Sequence, residues 1–285
     1  MALDKEIASP VPAEAPALPM APPPSRALNA ARDIAGGLSR YWLWGAMAMQ
    51  DIRLRYRGSL FGPFWLTLST MVMIGTMGVI YPHLFHTDVR SYLPFLALGI
   101  IVWQFIQTLI IDSCQTFLGA QEIILQSPMP FSIHAYRMVA RSFIVFGHNF
   151  VIVPIMLLIL WIPASWGSVL ILPAFLLITI NGVWLGLFFG MVSARFRDIP
   201  PILANVVQVL FFITPIFWSP EVLGKWEKLF ELNPIFAAID VIRAPLLGQA
   251  PVATSWPVLI ATTVLGSAFG FAFFARFRAR IAYWI

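Results

Sequence analysis

Three guanidinium groups crowd into five residues at Arg53, Arg55 and Arg57, with Asp51 just ahead of them and Tyr56 between the last two. A guanidinium keeps its proton at any physiological pH, and its planar fork of donors fits a phosphate through two parallel hydrogen bonds. The same cluster would also serve as a plain charged anchor at one end of a membrane segment. Further arginines come in sets: Arg137 and Arg141, then Arg195 and Arg197 beside Asp198, then Arg276, Arg278 and Arg280. Metal and thiol chemistry find no foothold. The histidines (His83, His86, His134 and His148) lack ligand spacing, and Cys114 is the one cysteine. His148 with Asn149 suits a helix-to-helix hydrogen bond. Aromatic residues are abundant, with 24 Phe and 11 Trp. Most must face lipid or pack between helices.

The elements that hold these residues are overwhelmingly apolar. The 285-residue chain is 59% hydrophobic and 11% charged, with a mean hydropathy of +0.82. Soluble domains are about 45–50% apolar and about 25% charged, so a soluble fold of this size could not bury the surplus. A spanning helix needs about 20 predominantly apolar residues. Six segments qualify, at 62–82, 93–112, 142–161, 168–191, 199–218 and 255–275. The fold class predicted is therefore all-α, integral to the membrane, with six transmembrane helices. The arginine sets fall at every second junction, which places those loops and both termini in the cytoplasm. The net charge of +5 follows from this asymmetry, since all Lys and Arg except Arg90, Lys225, Lys228 and Arg243 fall on that side. No basic run interleaved with aromatics suggests nucleic acid. Asp112, near an inner end, is the one charge close to mid-span. Proton-coupled transport and ion conduction would need more, because intramembrane charges mark such routes.

Three regions fall outside the simple scheme. Residues 1–27 carry seven prolines among alanines, with no cleavable signal peptide, and read as a disordered cytoplasmic tail. Residues 28–58 combine Ile34, Leu38, Tyr41, Trp42 and Trp44 with Arg32, Asp33 and Arg40, the pattern of a helix lying in the interface, followed by the basic lead-in. Residues 59–285 then form the transmembrane unit. Within it, 219–251 is too charged to lie wholly in hydrocarbon, yet its apolar residues are helically spaced and Asn233-Pro234 divides them. A short re-entrant helical pair on the outer side is expected. Asp198, just ahead of Pro200 and Pro201, is positioned to cap the fifth span.

Four motifs carry a resemblance. Asp51 through Gly62 with Trp65, Leu98-Gly99 through Trp103-Gln104-Phe105, Arg197-Asp198-Ile199 followed by Thr214-Pro215-Ile216-Phe217-Trp218, and Leu232-Asn233-Pro234 with Arg243 and Gly248 occur in this order. Together they make residues 40–280 similar to the membrane subunit of ABC-2-type exporters. The resemblance is strongest to the branch that exports lipid-linked polysaccharides: O-antigen, capsule and teichoic acid.

This resemblance implies a bacterial inner-membrane homodimer docked on two copies of a separate ABC ATPase. That partner would bind ATP and magnesium, for which this chain has no phosphate-binding fingerprint. The permease itself would be no enzyme. It also implies a coupling helix over Gly119, Gln121, Glu122, Ile123, Ile124 and Leu125, a polyprenyl-diphosphate headgroup at Arg53, Arg55, Tyr56 and Arg57, and a glycan path along Trp65, Tyr81, Phe211, Phe212, Phe217 and Trp218. Asn233, Pro234 and Arg243 would belong to the outer re-entrant segment. Two alternatives stay open: an ABC-2 exporter of drugs or lipids, and a multispanning membrane enzyme that modifies glycans, for which Glu221, Glu227, Glu231 and Asp240 would be the acids.

Overall fold

The computed structural model describes residues 25–163 and 165–285, so the predicted tail falls outside the described residues except at 25–27. Every regular element among the described residues is helical. Two N-terminal helices, α1 (Arg26–Ser39) and α2 (Tyr41–Arg55), meet at Arg40. The first long pair follows as α3 (Phe64–Phe85) and α4 (Val89–Ser113). Two short helices, α5 (Gln115–Leu118) and α6 (Gln121–Gln126), lead into α7 (Ser132–Phe150), which α8 (Ile152–Ile159) continues. The second half holds α9 (Ile171–Arg195), α10 (Ile199–Ile213), α11 (Glu227–Glu231), α12 (Pro234–Leu246), α13 (Ser255–Phe277) and α14 (Ile281–Trp284).

Five segments are long and apolar enough to cross a bilayer: α3, α4, α7 with α8, α9, and α13. The chain is a multi-pass membrane protein. Helix α4 is its hub: 67% of its apolar stretch is buried, against 22–39% for the other four. That is why its motif Leu98-Gly99-Ile100-Ile101 is almost wholly inaccessible.

Helix α9 lies against α7 and α5 through glycines one turn apart. A Cβ added at Gly182, Gly186 or Gly190 would come within 2.8–2.9 Å of Val139, Met138, Phe117 or Thr116. Small residues at this spacing let backbones approach where no hydrophobic effect pushes helices together. On its other side, α9 lays Trp184 over Gly266 and Gly270 of α13. The Trp184 Nε1 donates to Asn181 Oδ1 (2.8 Å), and Asn181 Nδ2 donates to Thr263 Oγ1 (2.6 Å).

The structure departs from the sequence reading in four places. The third span begins at Ser132, ten residues early, and carries Arg137 and Arg141 inside the helix instead of in a loop. Their charges are met by aspartates of other helices, so the helix can continue past them. The expected fifth span stops at Ile213, and at 15 residues α10 is shorter than a spanning helix. Pro215, without an N–H, cannot extend the ladder, and Thr214 adopts extended backbone. The expected single interfacial helix is broken in two at Arg40, whose N–H closes α1 on Gly37 O. Asp198 occupies the N-cap position of α10 without a side-chain capping bond, while Pro200 and Pro201 do sit in the first turn. The break at Asn233-Pro234 falls where the sequence predicts: Asn233 Oδ1 accepts from Ile235 N (2.9 Å) and starts α12.

Gly99 is where α4 meets the turn after α10, and a Cβ there would lie 2.5 Å from Ile216 O. Because the obstacle is backbone, Gly99→Ala must displace the turn. We expect a loss of about 1–3 kcal/mol, read as a lower thermal midpoint of the detergent-solubilised protein.

Candidate functional site

Charged groups converge at the arginine-rich end of the bundle. Asp51, on α2, accepts from Arg137 Nε (2.8 Å) and Arg141 Nη1 (3.2 Å), both on α7. A second bond runs from Arg137 Nη2 to Asp51 Oδ1. Arg141 Nη2 also donates to Asp112 Oδ2 of α4 (2.9 Å), so one ionic chain ties α2, α7 and α4 together. Burial pushes the Asp51 carboxyl up, but the hydrogen bonds and charges of Arg137 and Arg141 outweigh it and hold the group below its ordinary value.

A second carboxylate acts nearby. Asp33 of α1 accepts from the N–H groups of Phe131 (3.1 Å) and Ser132 (2.9 Å), and so caps α7 from another helix. Arg278 Nε, at the end of α13, donates to the same carboxylate (2.6 Å). Helices α1 and α13 are thereby fastened to the start of α7.

The predicted headgroup residues lie at the C-terminal end of α2. Arg53, Arg55 and Arg57 are all exposed, and none takes part in an ion pair among the described residues. Their charges suit the negative end of that helix. Burial pushes the Tyr56 phenol upward, with the charge of Arg55 acting the other way.

Arg55 also lines the mouth of a cleft of about 400 Å³ that runs between α3, α4 and α7. Its interior is unusually polar for this depth. Thr70 Oγ1 (3.0 Å) and Asn149 Nδ2 (3.1 Å) both donate to Gln104 Oε1 of α4, and Thr67 Oγ1 donates to Asn149 Oδ1 (3.2 Å). The helix-to-helix bond expected near His148 is therefore made by Asn149, while His148 Nδ1 pairs with Ile144 O of its own helix. Ser69, Gln107 and Thr108 extend the polar lining, and Asp112 shares the mouth with Arg55. Sequence reasoning passed over Gln104 and Asn149 as site residues, although each is an amide inside an apolar span, and that was the available signal. Asp33 gave no local signal, because its partners are remote in the chain, and Asp112 stood out only as a charge near the inner end of a span, with Arg141 29 residues away.

Of the predicted path aromatics, the structure groups some and separates others. Tyr81 meets Phe217 (centroids 5.6 Å), Phe217 meets Phe211 (5.7 Å), and Phe211 meets Phe212 (5.4 Å) and Trp103 (5.6 Å). Rings from α3, α4, α10 and the turn thus form one row. Trp218 pairs instead with Phe230 (5.5 Å), and Trp65 stands apart at the other end of α3 against Phe61 (5.4 Å).

The predicted coupling residues map to a discrete feature. Gly119 closes α5 with its N–H on Gln115 O (2.8 Å), and α6 carries Gln121, Glu122, Ile123, Ile124 and Leu125. Gln121, Glu122 and Leu125 are exposed, whereas Ile123 and Ile124 are half-buried. Phe117, fully buried beside Phe131, anchors this projection to the bundle.

At the opposite end, Arg243 on α12 is buried with its guanidinium 3.8 Å from the centre of the Phe95 ring. Its Nη1 donates to Pro215 O (3.4 Å) and Ile216 O (3.3 Å), the carbonyls of the turn that ends α10. Asn233 Nδ2 donates to Thr214 Oγ1 (3.0 Å), and Tyr92 OH to Phe217 O (2.6 Å). Asn233, Arg243 and Tyr92 thus hold the turn that carries Phe217, while Pro234 stands at the first position of α12.

Long apolar helices packed as a bundle, with a polar cleft between α3, α4 and α7, define an integral membrane protein. Residues 43–247 match the ABC-2 type transporter family, and the chain belongs to it. Curated relatives include an O-antigen export system permease protein of Klebsiella pneumoniae, 20% identical over 238 residues (82% of this chain, 91% of the relative). A protein of the same description from Myxococcus xanthus is 22% identical over 210 residues (70% and 78%).

Replacing Asp51 by Asn leaves Arg137 and Arg141 short of a countercharge in a largely buried place. Breaking a buried pair from one side costs about 3–5 kcal/mol, so D51N should unfold at markedly lower temperature in detergent. The pH dependence follows from the lowered value. The contribution of Asp51 is complete above the ordinary carboxylate value of about 4 and is lost as pH falls through its lower folded value. The stability difference between wild type and D51N should therefore shrink on acidification and stay constant from neutral pH upward.

Proposed function

We propose that this chain is the membrane subunit of an ATP-driven exporter that moves a lipid-linked polysaccharide, of the O-antigen kind, from the cytoplasmic to the periplasmic side of the bacterial inner membrane. In this reading it works as a homodimer on two copies of an ABC ATPase, which bind the ATP and magnesium, with both of its own termini cytoplasmic. The observation that carries the reading is similarity along most of the chain to permeases named for O-antigen export.

The geometry supports this reading at both ends. Arg53, Arg55 and Arg57 are exposed and in no ion pair among the described residues, as a diphosphate receptor requires, and Arg55 lines a cleft of amides and hydroxyls. Such groups suit sugar hydroxyls. The row from Tyr81 through Phe217 and Phe211 to Trp103 offers faces on which pyranose rings could stack and slide. The exposed apolar flanks of α3 and α10, including Leu68, Val72, Val79, Val209 and Phe212, are the surfaces a second copy would cover. Helix α6, with Glu122 and Leu125 exposed, is the part offered to the ATPase.

Deleting the gene should make polyprenyl-linked glycan accumulate on the inner face. Accumulation of no such glycan, or of another lipid, would refute the substrate class. Changing Arg53, Arg55 and Arg57 together to Lys keeps topology but removes bidentate pairing. Charge-assisted hydrogen bonds contribute about 1.5–3 kcal/mol, so surface glycan should fall by at least about tenfold at unchanged protein level. Export that survives the swap would remove these residues from the headgroup site. Glu122→Arg should abolish export while dimer assembly, read by cross-linking, is unaffected; export at wild-type level would show that α6 does not couple.

A further inference from the structure

A second space lies on the far side of α7 and shares no lining residue with the polar cleft. It is a groove of about 740 Å³ between the α1–α2 elbow and helices α7, α9 and α13. Leu38, Phe143, Leu176, Ile180 and Phe271 make its walls. Leu38, Leu176 and Ile180 are exposed along the rim, and α9 is a spanning helix, so the groove is continuous with the surface that faces hydrocarbon.

Two features separate it from an ordinary lipid-facing furrow. First, the Trp44 Nε1 atom, from a residue lining the groove, is buried without a hydrogen-bond partner, and so is Ser267 Oγ. A buried indole N–H left without an acceptor is costly, and nothing else among the described residues supplies one. Second, the elbow is cationic. Arg32 and Arg40 are exposed and in no ion pair among the described residues, while both acids of this segment, Asp33 and Asp51, are engaged by arginines from other helices. Arg40 and Trp44 are one helical turn apart, with Trp44 N on Arg40 O (3.4 Å). One turn is about 5.4 Å, close to the step from the phosphate of a glycerophospholipid to its ester carbonyl.

We propose that this groove is a binding site for an anionic phospholipid. One acyl chain fills the groove, an ester carbonyl accepts from Trp44 Nε1, and the phosphate meets Arg40. Basic pockets beside membrane helices recognise such headgroups. The lipid is a structural ligand that seats the elbow on α7, α9 and α13, separate from any exported cargo. The inference requires only membrane placement and does not rest on the proposed export function.

The test is native mass spectrometry of the full-length protein taken from membranes in mild detergent, with phosphatidylglycerol offered against phosphatidylcholine. Wild type should retain one phosphatidylglycerol in preference to phosphatidylcholine. Trp44→Phe keeps the ring and removes the donor, and should lower retention by about fivefold, as expected for one hydrogen bond. Arg40→Gln should remove the headgroup preference. Gly45→Leu should abolish retention by filling the groove, because Gly45 lines it and a Cβ there meets nothing within 4 Å, so folding is not impeded. Trp42→Phe, at an exposed neighbouring indole, should leave retention unchanged. Equal retention in wild type and Gly45→Leu, loss in Trp42→Phe as large as in Trp44→Phe, or a retained species that is neutral or a polyprenyl lipid would each overturn the proposal.

Discussion

One carboxylate holding two guanidinium groups makes the rest of this bundle possible. Asp51 reaches both Arg137 and Arg141, and Arg141 reaches on to Asp112. Without those bonds α7 would begin with two uncompensated cations in an apolar setting, each a cost of several kcal/mol by any scale. With them, α7 runs unbroken from Ser132 and presents Ser142 and Asn149 to the polar cleft. The same chain fixes α2, and so fixes where the exposed arginines after Asp51 stand. Asp33 completes the arrangement from the other side by capping α7 and holding Arg278.

The opposite end holds a buried cation, Arg243, on the same helix as a buried carboxylate, Asp240, that accepts from Val252 N and Ser255 Oγ. Arg243 lies over Phe95 and donates to the carbonyls that α10 leaves when it stops. Irregular backbone at membrane depth survives only where its polar groups are met by protein or water. Arg243, Asn233 and the close approach at Gly99 meet that requirement together, and the row of aromatic rings is the result.

Much of this was legible in the sequence. Apolar length alone locates the five long spans, and Asn233-Pro234 marks the break that starts α12, because both signals are local. Residues 137 and 141 read as a loop because hydropathy weighs an arginine by itself and cannot see aspartates 86 and 29 residues away. The turn after Ile213 was masked because Thr214-Pro215-Ile216-Phe217-Trp218 is as apolar as a helix; Pro215 is the local sign of a break, and contacts with Arg243 and Gly99 hold the bend. Asp33 looked like one acid on an interfacial helix, since nothing nearby in the chain shows that it caps a helix about a hundred residues on.

The ionic chain around α7 also bears on how the protein is made. Asp51 and Asp112 both precede Arg137 and Arg141 in the polypeptide. The ribosome therefore delivers the countercharges before the charged helix emerges, and nascent α7 can pair as it leaves the translocon. Arg278, the last to arrive, finds Asp33 already seated. Synthesis from the N-terminus is thus the direction in which these cations need not wait unpartnered in lipid.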